Sequence, residues 1–150
     1  MQIKKIVLIS CVSKKLHHKS KAEDLYISSL FKKGLEYAKL LQPDKIFILS
    51  AKYGLVNLKQ EIEPYNITLN NMVKEERVIW SKNILSKLKK LTDIENDEFV
   101  FLAGKKYIEF LLPKIKHFKI PLKDALQSEP KNRRGIGCQM KWLDNQIKLL

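Results

Sequence analysis

The sequence predicts a small three-layer α/β/α domain whose mostly parallel sheet has about four strands. Three observations carry that expectation. Residues 3–10, Lys45–Ser50 and 98–103 are short, nearly continuous runs of β-branched, leucine and phenylalanine residues, the pattern of strands covered on both faces. Between them, residues 22–41 and 70–91 repeat apolar side chains near helical spacing. Strands alternating with helices imply right-handed crossovers, which lay helices over both faces of a parallel sheet.

The first strand, 3–10, follows Lys4 and Lys5, but its apolar stretch is short and lacks a small-residue cleavage site, so it reads as a strand and not as an export signal. Leu25, Leu30, Phe31, Leu35, Ala38 and Leu41 then mark one crossover helix over 22–41, stopped by Pro43. After the second strand, Met72, Val73, Ile79, Trp80, Ile84, Leu88 and Leu91 mark a long helix over 70–91, with Thr68 or Asn70 as its cap. The third strand, 98–103, leads into a helix over 105–112 that ends at Pro113. Residues 118–122 form a short fourth strand or a loop, since Pro121 confines a strand to an edge. A final amphipathic helix covers 140–150. Turn formers and charges replace the periodic pattern over 57–63 and 123–134, which are expected to be the mobile segments. The whole reads as one Rossmann-like domain spanning residues 1–150.

Composition bounds the function. With 150 residues and 45% hydrophobic content the chain buries a real core, and no apolar run approaches the roughly 18 residues of a membrane span. Two cysteines without a C-x-x-C pair fit free thiols in a reducing cytoplasm. The formal net charge is +13, from 29 basic against 16 acidic residues, which points to an anionic partner. Basic residues cluster over 14–21, 82–90 and 131–134; the first and last groups fall in expected loops, the middle one on the solvated face of a helix.

In an open parallel sheet the ligand crevice lies beyond the carboxyl ends of the strands, so the residues that follow each strand are the candidates. The first strand delivers Cys11, Ser13, Lys14 and Lys15. A neighbouring ammonium favours the thiolate, which is the nucleophilic form of cysteine. The second strand delivers Ser50, Ala51, Lys52, Tyr53 and Gly54, and the third Ala103, Gly104, Lys105, Lys106 and Tyr107. Small residues let the backbone approach a ligand, while Lys52 and Tyr53 offer an ammonium and a phenol to phosphate, carboxylate or a base edge. Gly54 supplies a positive φ in its turn. Gly104 opens a helix whose free N–H groups would admit an anion. Arg133 and Arg134, followed by Gly135 and Gly137, precede the last helix and offer bidentate phosphate contacts.

Other chemistries lack their residues. His17 and His18 are adjacent and His117 is isolated, so no zinc site is expected. The P-loop pattern and the dinucleotide fingerprint are absent, and no cofactor is called for.

Cys11 to Lys15, the segment Asp24 to Phe31, the segment Ile48 to Leu55 and the run Glu63 to Leu69 together resemble a bacterial and phage domain family of unknown function, often labelled YaaA-like or peroxide-stress-like. The likeness extends through Leu102, Ala103 and Gly104 to the closing stretch from Gly135 to Trp142. More distantly, Cys11 and Lys15 keep the Cys-to-Lys spacing of the catalytic core of archaeosine synthase, with Ser10 in place of its proline and Leu16-His17 in place of its Pro-Tyr pair. The resemblance implies modified nucleobases or DNA as the setting.

Residues and resemblance together predict an enzyme-like domain acting on a nucleobase, nucleotide or nucleic acid. In that reading Cys11 is the nucleophile or covalent anchor, activated by Lys14 or Lys15. Lys52 and Tyr53 orient the substrate, Ser13 and Ser50 donate hydrogen bonds, and Arg133 and Arg134 hold phosphate. The expected partners are DNA, RNA or a nucleotide-like anionic small molecule. Two alternatives remain open at this stage: a non-catalytic basic nucleic-acid-binding module, and a thiol sensor of oxidants using Cys11 with Cys138 or a partner thiol.

Overall fold

The computed structural model describes residues 2–10, 14–127 and 129–150. Its centre is a five-stranded sheet in the order β4-β3-β1-β6-β7. Strands β1 (Lys5–Ser10), β3 (Lys45–Ser50), β6 (Glu98–Leu102) and β7 (Phe118–Lys119) run parallel, and β4 (Gly54–Asn57) returns antiparallel along β3. The three expected strands are therefore the three central ones. Ile6 to Ile9, Phe47 to Leu49 and Phe99 to Leu102 are all buried, which explains their unbroken apolar pattern.

Helix α2 (Ser29–Leu40) carries β1 to β3, and α3 (Lys74–Leu91) carries the chain from the β3–β4 hairpin to β6. One crossover steps to the left of β1 and the other to its right, so right-handed connections put α2 and α3 on opposite faces. The chain order of the strands reverses at the boundary between β1 and β6. Helix α6 (Ile136–Leu149) packs on α2 through Tyr37 and Trp142, whose rings meet edge to face 5.4 Å apart.

Several elements differ from expectation. The helix expected over 22–41 is two: α1 (Ala22–Leu25) and α2, separated by extended backbone at Tyr26. Tyr26 pairs there with Lys15 in an antiparallel bridge, flanked by hydrogen bonds from Leu16 N–H to Leu25 and from Ile27 N–H to Lys14. Ser28 then caps α2, its hydroxyl accepting from the Phe31 N–H at 3.2 Å. Helix α3 starts four residues late because Thr68 caps a separate 3₁₀ turn, Leu69–Asn71. Its buried face is Trp80, Ser81, Ile84, Leu85 and Leu88, while Ile79 and Leu91 of the expected stripe are exposed. After β6, α4 (Lys105–Ile108) is a single turn, followed by a 3₁₀ turn at Leu112–Lys114. Pro121, instead of ending a strand, opens α5 (Pro121–Leu126) at the first helical position, where a missing N–H costs nothing. A two-stranded antiparallel ladder, β2 (Ser20–Lys21) with β5 (Glu61–Ile62), ties the segment after β1 to the one after β4. Helix α6 begins at Ile136, before the expected start at 140, while the end of α5 and the 3₁₀ turn Lys131–Arg133 occupy parts of the expected loop 123–134.

Candidate functional site

The carboxyl edge of the sheet gathers side chains from separate parts of the chain. Ser10, the last residue of β1, is in register with Leu49, so the ends of β1 and β3 lie side by side. Ser50 closes β3 with no exposed surface. Its hydroxyl accepts the Tyr53 N–H at 2.9 Å and donates to the Tyr65 phenol at 3.0 Å. Its carbonyl accepts the indole N–H of Trp80, on α3, at 2.9 Å. Sequence order alone assigned Ser50 to the substrate; its hydroxyl is instead the buried peg on which the hairpin and Tyr65 hang.

Tyr65, which the sequence shows only as one residue of the run Glu63 to Leu69, belongs to the same cluster. Its oxygen lies 2.6 Å from that of Tyr26, both rings being buried. The Lys15 ammonium stands 4.5 Å from the Tyr65 ring centroid and 5.7 Å from that of Tyr26. Tyr53 meets Tyr65 edge to face at 5.7 Å, and the Lys52 ammonium covers the Tyr53 ring at 5.3 Å. Lys15, Tyr65, Tyr53 and Lys52 thus form one unbroken cation–aromatic row across the ends of β1 and β3. Tyr26 and Tyr65 are 39 residues apart, each within a segment that carries the family resemblance, Asp24 to Phe31 and Glu63 to Leu69.

Gly54 has the positive φ expected of it, 75°, and turns the chain from β3 into β4. Lys87 reaches back from α3, its Nζ 3.8 Å from where a Gly54 side chain would start. Gly104 follows β6 and caps α4 with ordinary extended backbone and open space around it. Lys14, Lys105 and Lys106 are exposed at the same edge, the Lys106 ammonium donating to the Asn70 carbonyl at 3.2 Å. Cys11 and Ser13 lie outside the described residues.

The arginines are placed elsewhere. Lys33 pairs with Asp144 and Tyr37 with Trp142, so α6 runs against α2 and its N-terminus faces the Leu40 end of that helix. Asp44, just beyond α2, accepts from the Lys5 N–H at the start of β1, which fixes that end at the amino edge of the sheet. The Arg134 guanidinium is engaged with the carbonyls of Gln127 and Glu129, and Arg133 borders an open hollow of about 190 Å³ with Leu126, Cys138 and Trp142. A second hollow, about 290 Å³, lies among Gln2, Lys4, Thr92 and Asp97, also away from the Ser50 cluster. Among the described residues no three His, Cys, Asp or Glu side chains stand together as a metal site, and no helix is long and apolar enough to cross a membrane.

In an open sheet of this kind the ligand lies outside the carboxyl ends of the strands where the strand order reverses, here between β1 and β6, and the Lys15 segment borders that point. A family model matches residues 6–145, nearly the whole of this architecture. The chain belongs to DUF6884, a family of unknown function. The matched residues of DUF6884 include every side chain of the Ser50 cluster and both arginines. No curated protein and no solved structure matches the chain.

Proposed function

We propose that this chain acts on a nucleobase, nucleotide or nucleic acid at the carboxyl edge of its sheet, with Cys11 as nucleophile or covalent anchor. The observation that carries the reading is the row in which Lys15 and Lys52, from two different strand ends, cover the rings of Tyr65 and Tyr53. Ammonium groups beside phenols supply charge for phosphate and a flat surface for a base. Cys11 follows Ser10 directly, and a cationic neighbourhood of Lys14 and Lys15 favours a thiolate. Ser50 serves through Tyr53 and Tyr65, which it holds in place. The resemblance of Cys11 to Lys15 and of Ile48 to Leu55 to YaaA-like domains, and the more distant one of the Cys11-to-Lys15 spacing to the archaeosine synthase core, agree with the same reading.

Alkylation tests it. Treated with limiting iodoacetamide at neutral pH and followed by peptide mass spectrometry, Cys11 is expected to react faster than Cys138, and Lys15→Ala to slow Cys11 alone. Equal rates at the two cysteines would refute the nucleophile. The net charge of +13 favours a second reading, a binding module in which Cys11 only packs. That reading expects salt-sensitive nucleic-acid binding that survives Cys11→Ala unchanged.

A further inference from the structure

We infer that the ligand of this edge is a single-stranded polynucleotide, one base of which stacks on Tyr53 in the place now taken by the Lys52 ammonium. The inference rests on the crevice being the site and adds the form of its ligand. Lys52 is exposed and Tyr53 half-buried, so the contact between them is a surface cation–aromatic contact, weaker than the stacking of a base on a tyrosine. An incoming base displaces the ammonium, and the freed lysine moves to the neighbouring phosphate. The edge-to-face contact with Tyr65 and the bond from the Tyr53 N–H to Ser50 hold the ring in position for this exchange.

The spread of charge favours a strand over a free nucleotide. Lys14 and Lys15 follow β1, Lys52 follows β3 with Lys87 beside Gly54, and Lys105 and Lys106 follow β6. Adjacent strands are about 4.8 Å apart, so these cations spread over roughly 10 Å or more, beyond the reach of one nucleotide's phosphate. Among the described residues no carboxylate is within salt-bridge range of Lys14, Lys52, Lys87, Lys105 or Lys106. Glu109, three residues beyond Lys106, is paired with Arg77 at 3.0 Å, Glu75 and Glu76 sit in the first turn of α3, where they complement that helix end, and Glu61 and Glu63 are exposed. A base paired in a duplex is already stacked on both faces by its neighbours, so only an unpaired base has a free face to lay on Tyr53.

Fluorescence anisotropy with a labelled oligothymidylate of about twelve nucleotides, the length a small single-strand site covers, tests this. Wild type is expected to bind it more tightly than thymidine monophosphate or the same sequence as a duplex. Tyr53→Ala should weaken binding about ten- to hundredfold and Tyr53→Phe should preserve it. Lys52→Ala, an exposed change that leaves folding intact, should make the log–log salt dependence shallower by about 0.7. Equal affinity for duplex, or binding indifferent to Tyr53→Ala in a variant that melts like wild type, overturns the inference. If thymidine monophosphate shields Cys11 from alkylation while the oligomer binds no more tightly, the site reading stands and the strand falls. If the oligomer binds through Tyr53 while Cys11 is inert, the strand stands and the nucleophile falls.

Discussion

The phenol oxygens of Tyr26 and Tyr65 lie 2.6 Å apart, and Ser50 Oγ donates to the second of them from 3.0 Å. Three hydroxyls carry three protons, and the two bonds among them use two, so one phenolic proton is directed outside the trio. The Lys15 ammonium stands over that same pair of rings. The buried network therefore joins the bridge at Tyr26, the hairpin at Ser50 and the turn at Tyr65 into one unit that the ends of β1 and β3 share.

Tyr65→Phe deprives a buried Ser50 donor and the Tyr26 hydroxyl of their shared partner, an expected loss of about 1–3 kcal/mol. Tyr26→Phe should cost less, because Tyr65 keeps its bond from Ser50. In the double variant the second removal finds its partner already gone, so the combined loss in urea unfolding should fall short of the sum by at least about 0.5 kcal/mol. Strict additivity would mean that the two hydroxyls do not act together.

The strands were legible because each central one is covered on both faces, which leaves Ile6 to Ile9 or Phe99 to Leu102 no reason to alternate. The edge strand β4 was not, since only Leu55 and Val56 of its four residues are buried and so short a run carries little pattern. Periodicity over 22–41 survives the break at Tyr26 because Leu25 and Phe31 enter the same core from either side of it. The pair Ser28-Ser29 was the local sign of a new helix start. At the site, Lys15, Lys52, Tyr53 and Gly54 were legible from their places after strands. Tyr26 and Tyr65 were not, because their partnership exists only once the small β2–β5 ladder has brought distant segments together.

Gly54→Ala and Gly104→Ala should separate two glycines that look alike in sequence. At Gly54 an added Cβ meets Ile84 at an ordinary 3.7 Å, but φ is 75°, so an alanine is strained by about 1–2 kcal/mol. At Gly104 φ is −70° and nothing lies within 4 Å, so the change should be neutral or slightly stabilising. Chemical denaturation of the two variants checks the contrast; a comparable loss at Gly104 would contradict it.

Ser81 is buried on α3, and its hydroxyl has no hydrogen-bond partner among the described residues. Ser81→Ala removes that polar group and adds a stronger helix former, for an expected gain of about 1 kcal/mol. A loss of stability on urea unfolding would mean that the hydroxyl is satisfied in solution.

Glu23, on α1, meets Lys59 at 2.9 Å and Lys39 at 3.7 Å, linking α1 to the loop after β4 and to the end of α2. The Lys59 ammonium beside it holds its carboxyl below the ordinary glutamate value of 4.5; burial opposes the shift, and the charges of Lys39 and Lys21 add to it. A carboxyl with a depressed native pKa binds fewer protons folded than unfolded, so in that window stability rises with pH. Its contribution is complete above about pH 4.5, the ordinary value, and is lost as pH falls through the native pKa. Glu23→Gln should therefore reduce stability at neutral pH and flatten the acid limb of the stability–pH curve, whereas Lys59→Ala should do so in part because Lys39 remains. The Lys59 side chain is 75% exposed, so the difference between wild type and Lys59→Ala should shrink in molar salt. Parallel acid limbs for wild type and Glu23→Gln would place the titrating group elsewhere.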